Sequence, residues 1–286
     1  MELFIIILAF SLFTSLSICM VHVAAKPGLF RAEGHCVQKT AQTPAAGAKT
    51  VSAKVDGAWH EFPLVSFPQA FWDWNRGRRM EYLEVFREIL KQGRDAARRP
   101  NLAGPHNGMV ATYGEAREDS GFKLNNAIKG MGFVPKAEHL QALITLLTET
   151  MDGSLEERLN ILEGLYAKAE EYFAPDRLVS LELYSKPGFT TQTFINQMLN
   201  PACATVFLDM PTFKIKQIAR VLHPSDPELS PYEGQVVRYV NLIHSYFHGS
   251  FDQDFMAVLY LNTEIYDCSP GSSGGKGTRL MPAGPH

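Results

Sequence analysis

His244 and His248 stand four residues apart in Pro231–His248, where Val236, Val237, Val240, Ile243 and Phe247 recur with helical periodicity. That spacing puts both imidazoles on one helix face, an arrangement that can ligate a transition metal. It suits the exposed end of a helix equally well. No Glu follows His244, so the H-E-x-x-H pattern of zinc peptidases is absent. His223, before Pro224, reads as a strand end. The four cysteines, Cys19, Cys36, Cys203 and Cys268, form no C-x-x-C pair, which removes zinc-ribbon and thioredoxin-type chemistry. Cys203 sits in an apolar run and reads as a reduced core residue. A Cys36–Cys268 bridge would require an oxidising compartment. No nucleophile, base and acid assemble from the sequence: Ser269 and Ser272 lie in a glycine-rich tail, and Asp267 closes a strand. Gly271–Gly277 follows that strand without a helix behind it, which suits a flexible tail better than a phosphate cradle.

The elements that must position these groups are clearest between Arg177 and Cys268. Leu178, Val179, Leu181 and Leu183 predict a strand that stops at Pro187-Gly188. Phe194, Ile195, Met198 and Leu199 predict a short helix over 191–199, closed by Asn200-Pro201. Ala202–Leu208 reads as a strand buried on both faces. Ile215, Ile218, Val221 and Leu222 mark another, ended by His223-Pro224. The 231–248 helix follows, then a last strand from Met256 to Tyr266. Sparse helices among antiparallel strands predict a small α+β barrel.

Upstream, Val51–Val65 is a candidate hairpin turning at Asp56-Gly57. Phe67, Phe71, Trp72 and Trp74 form an aromatic cluster, read either as a docking surface or as a core flap. Tyr82, Val85, Phe86, Ile89 and Leu90 predict a helix over 78–99. Arg76, Arg78 and Arg79 flank its start, and Arg94, Arg98 and Arg99 its end. These clusters read as a contact for anionic head groups or as a solvated helix face. Residues 100–123 read as loop. Two helices are predicted between Lys136 and Phe173, the second opened by a Ser154-x-x-Glu157 capping box.

At 286 residues and 45% hydrophobic content the chain can bury a sizeable core. A net charge of −3 and a pI near 6.3 give no electrostatic case for a nucleic-acid partner. Leu3–Ala25 carries no Asp, Glu, Lys or Arg and is long enough to span a bilayer. Its uncharged-to-acidic start and its length favour a retained single-span anchor, with membrane lipid as partner, over a signal peptide cleaved near Val23-Ala24-Ala25. Lys26, Arg31, Lys39 and Lys49 then place the body in the cytoplasm; cleavage would instead make it secreted or periplasmic. Residues 26–50 read as a linker.

Residues 177–268 resemble the FMN-binding split barrel of the pyridoxamine 5'-phosphate oxidase-like superfamily. The resemblance lies in Thr190-Thr191-Gln192-Thr193-Phe194-Ile195-Asn196-Gln197-Met198-Leu199-Asn200-Pro201, followed by the strand Ala202–Asp209. The "HPSDPE" turn after Leu222 and the strand Met256–Asp267 extend it. About a third of the chain is covered. The resemblance implies a homodimer with FMN at the seam, its phosphate held by hydroxyls and cations at the start of the short helix. Thr191 falls at the family's serine and Thr193 at its lysine, so one charge is missing. Thr190, Thr191 and Thr193 would donate hydroxyls beside helix N-terminal amides, and Lys214 and Lys216 would supply charge. Some relatives bind haem, which makes haem the alternative cofactor and His244 and His248 its candidate ligands.

The expected fold class is therefore α+β, with an N-terminal transmembrane helix (1–25), a linker (26–50), a mostly helical middle opened by a hairpin (51–175), an antiparallel split β-barrel (176–268) and a flexible tail (269–286). Two functions follow from it. One is a membrane-anchored, FMN-binding oxidoreductase-like protein. The other is a non-catalytic accessory subunit of a larger membrane complex.

Overall fold

A computed structural model describes residues 28–93, 97, 103–249 and 251–282. Strands β1 (Thr50–Val55) and β2 (Ala58–Pro63) form the expected hairpin. Asp56 and Gly57 both take positive φ, 50° and 87°, as a two-residue turn matched to strand twist requires. Helix α1 (Gln69–Gln92) follows. Next come β3 (Asn107–Tyr113), β4 (Leu124–Gly130) and β5 (Gly132–Pro135). Helices α2 (Ala137–Glu149), α3 (Leu155–Ala167) and α4 (Ala169–Tyr172) lead to β6 (Phe173–Glu182). The remainder is α5 (Gln192–Leu199), β7 (Ala202–Phe207), β8 (Phe213–Leu222), α6 (Pro231–His248), β9 (Met256–Asp267) and β10 (Thr278–Met281).

The large sheet is antiparallel throughout and runs β4-β3-β7-β8-β9-β6-β5, with β10 added to β9. Its terminal members, β4 and β5, are consecutive pieces of one extended segment broken only at Met131. The sheet therefore curls back toward its own start as a half-barrel, in keeping with the expected split barrel. The core is continuous from the inner faces of β6, β8 and β9 to the helices packed over them.

Local chemistry explains the elements that the sequence predicted. Ser154 and Glu157 exchange backbone hydrogen bonds as a capping box at the start of α3. Ser230 and Glu233 form a second box on α6, with Pro231 in its first turn. Thr191 caps α5 by accepting the Phe194 N–H at 3.2 Å.

Several expectations are corrected. Leu3–Ala25 lies outside the described residues, and among those described no helix is long and apolar enough to cross a membrane. Among the described residues the fold is α+β with no helix that could span a membrane, so the expected single-pass membrane localisation is not supported. Residues 107–135, expected as loop and helix, supply three strands of the sheet. The described part of the linker is packed rather than loose. Gln38 is buried, donates to the Gln197 and Ala219 carbonyls at 2.7 and 3.1 Å, and accepts the Val221 N–H at 2.8 Å. Strand β7 is buried on alternate residues only, so one of its faces looks outward. Phe67, Phe71, Trp72 and Trp74 are all core residues, stacked on one another and on Phe133, Phe207 and Phe213; they offer no docking surface. The tail includes β10, paired to β9. Cys36, Cys203 and Cys268 are free thiols. Burial, with Asp226 nearby, pushes Cys36 up to about 12.

Candidate functional site

Residues singled out in the sequence fall at two places that could hold a ligand. The first is the start of α5, where the resemblance puts a phosphate. Glu182, at the end of β6, reaches into this position with its side chain fully buried. One carboxylate oxygen accepts the Lys129 ammonium at 2.6 Å. The other accepts the Ser185 N–H at 3.2 Å, the Ser185 hydroxyl at 3.1 Å and the Thr191 hydroxyl at 3.4 Å. The chain's own carboxylate thus occupies the position where the resemblance would put an anion. Thr193 is buried and accepts from Asn125 Nδ2 at 2.7 Å. Thr190 is fully enclosed, and its hydroxyl has no partner.

The two candidate lysines lie elsewhere. Lys214 and Lys216 are on the outer face of β8, opposite Val206 and Ala204 of β7. Lys216 pairs with Glu264 at 2.8 Å, which raises its pKa. Lys214 sits 4.6 Å from the centre of the Tyr266 ring. From β8 the sheet passes through β7 and β3 to β4, which carries Asn125. Three strand spacings come to roughly 14 Å, and Asn125 alternates with the outward residues of β4. The threonines and lysines cannot grip one phosphate together. The residues present do not fit FMN bound through this phosphate site: a second anion would meet the buried Glu182 carboxylate, which already takes the Lys129, Ser185 and Thr191 donors.

The second place is a cavity of about 360 Å³ between α1, α6 and the β4–β5 junction. His244 and His248 do line it together, their ring centres 4.5 Å apart. His106, from the segment before β3, joins them, with Tyr82 stacked 6.4 Å from it. His106 and His248 keep accessible surface although protein surrounds them, as side chains lining a concave site do. Desolvation lowers all three imidazoles, His106 and His244 to about 4, with Arg79 also opposing a charge on His106 and His248 opposing one on His244. They are neutral at physiological pH. Among the described residues no group of three or more His, Cys, Asp or Glu side chains could hold a metal ion. His223 faces His35 and Phe30 instead, away from this group.

Sequence reading singled out His244 and His248 but missed His106, Tyr82 and Arg79. Arg79 and Tyr82 come from α1 and His106 from the segment before β3, far in sequence from α6, and they meet it only in the folded chain. The basic groups Arg76, Arg78 and Arg79 form no free patch. Arg76 pairs with Asp73, Arg78 bridges Asp209 and Glu81, and Arg79 is buried.

A third feature is a surface. The outward residues of β4, β3 and β7 align in rows: Ile128, Met109 and Val206 in one, Leu124 and Tyr113 in another. Ile128 is 70% exposed, Leu124 63% and Tyr113 53%, and Leu208 just beyond β7 is 60% exposed. Beyond Val206 the first row continues through Lys214 and Tyr266 to Arg279. The face is apolar on one side and charged on the other.

Comparison of the chain with protein-family models and with curated proteins finds no match in either.

Proposed function

We propose that the chain is a non-catalytic accessory subunit built on a split barrel, and that it pairs with a second copy of itself through the outer face of β4, β3 and β7. The observation that carries this reading is Glu182. A buried carboxylate, paired with Lys129 and fed by the Ser185 and Thr191 donors, stands where the resemblance would put a flavin phosphate. An FMN-dependent oxidoreductase needs that position for the cofactor on which its chemistry rests. The apolar rows on the outer face support self-association, because contiguous exposed apolar surface marks interaction sites. The adjoining Lys214, Lys216, Glu264 and Arg279 supply both signs of charge for a polar rim.

Two measurements test this. Purified protein mixed with excess FMN and desalted is expected to carry no flavin absorbance; stoichiometric retained flavin would end the non-catalytic reading. Light scattering behind size exclusion is expected to give a dimer, and Ile128→Arg a monomer with unchanged circular dichroism. A native monomer, or a dimer indifferent to Ile128→Arg, would remove the outer face as the interface.

A further inference from the structure

Arg79 is a buried cation without a counter-ion among the described residues. It is 8% exposed. Its Nε donates to Asn75 Oδ1 at 2.8 Å, Nη2 to the Met131 carbonyl at 3.0 Å and Nη1 to the Tyr166 hydroxyl at 3.4 Å. The guanidinium also lies over the Phe133 and Tyr166 rings, at 5.2 and 5.0 Å. Every one of these partners is neutral. Its neighbour Arg78 has two carboxylates, Asp209 and Glu81. Buried charges are ordinarily paired, since desolvation is otherwise uncompensated. Arg79 lines the cavity described above.

The rest of the cavity fits the missing anion. Tyr82, His106 and His244 offer uncharged hydrogen-bonding groups around the guanidinium. Phe86, Ile243 and Phe247 form an apolar wall beside them. Among the described residues lining the cavity, Arg79 is the one cation not already paired to a carboxylate, so a monoanion balances it and a phosphate dianion does not. The volume suits a guest of one or two rings.

We propose that this cavity binds a small carboxylic acid with an apolar body, its carboxylate pairing with Arg79 and its body lying against Phe86, Ile243 and Phe247. The inference is independent of how the chain assembles.

Calorimetric titration of the full chain with 1-naphthoate, and in parallel with 1-naphthalenemethanol, tests it. The two share a ring system and differ in charge. The acid is expected to bind saturably, one molecule per chain, and the alcohol at least about tenfold more weakly. Arg79→Met should lower acid affinity at least about tenfold, with Arg79→Lys between the two. Arg79 is also part of the core, so a second variant leaves it in place: Ile243→Trp fills the cavity and should abolish acid binding while preserving circular dichroism. Absence of saturable naphthoate binding to the native chain, equal affinity for acid and alcohol, or undiminished binding by Ile243→Trp would each overturn the proposal.

Discussion

Glu182 and Lys129 are each held in place by the other. Their side chains are 0% and 10% exposed, and the ammonium meets the carboxylate at 2.6 Å. Replacing Glu182 by Ala would strand a buried ammonium, at a cost of about 3–5 kcal/mol. Glu182→Gln keeps the shape and an acceptor, and should cost less. Urea midpoints of the two variants check this; equal, small losses would mean that Lys129 finds water when its partner is gone. The imidazoles make a second prediction at this scale. His106 and His244 fall from 6.5 to about 4 in the folded chain, and His248 and His223 shift in the same direction. Between those values the unfolded chain takes up protons that the folded chain refuses. The imidazole contribution to stability is therefore full above 6.5, declines as pH falls toward 4, and levels off below. A His106→Asn, His244→Asn double variant should flatten this slope in denaturant melts; an unchanged slope would assign it to other groups.

At the level of elements, the sequence was most legible where apolar residues recur without interruption. The strands at Leu178, Ile215 and Met256 and the helices at 192 and 231 stood out for that reason. So did the hairpin, because Asp-Gly names its turn, and α3, because Ser154 and Glu157 name its cap. Strands β3 to β5 did not. Gly104, Gly108, Gly114, Gly121, Gly130 and Gly132 punctuate that stretch, and its inward side chains include Thr112 and Lys129. β3 and β4 pair with each other, but β3 also needs β7 and β5 needs β6, both far along the chain, so local pattern carries little of their strand character. Gly108 shows what the glycines do here. A Cβ at this position would come within 2.8 Å of the Met131 side chain and 2.9 Å of Thr205. Gly108→Ala should destabilise by about 1–3 kcal/mol through overpacking, read as a lower thermal midpoint; an unchanged midpoint would show that Met131 swings aside freely.

For the molecule as a whole, the candidate sites were legible only in part. His244 and His248 share a helix face in the sequence and in the structure alike. The cavity they line also needs Arg79 and Tyr82 from α1 and His106 from the approach to β3, groups brought together by curling of the sheet. The proposed phosphate residues failed for the complementary reason. Thr191 caps α5 while Lys216 lies on the outer face of β8, and nothing local announces that Glu182 turns inward. Fluorescence of Trp72 and Trp74, both packed in the central aromatic stack, should change in one transition together with circular dichroism on urea unfolding. Two separated transitions would mean that α1 and the sheet melt independently.

Met131 joins the first and last members of the strand order within one segment, yet among the described residues these two share no ladder, so β4 keeps an outer edge of strand backbone not bonded to the sheet. Strand addition there would lengthen the sheet edge to edge, whereas pairing over β4, β3 and β7 would bring copies of the chain flat side against flat side.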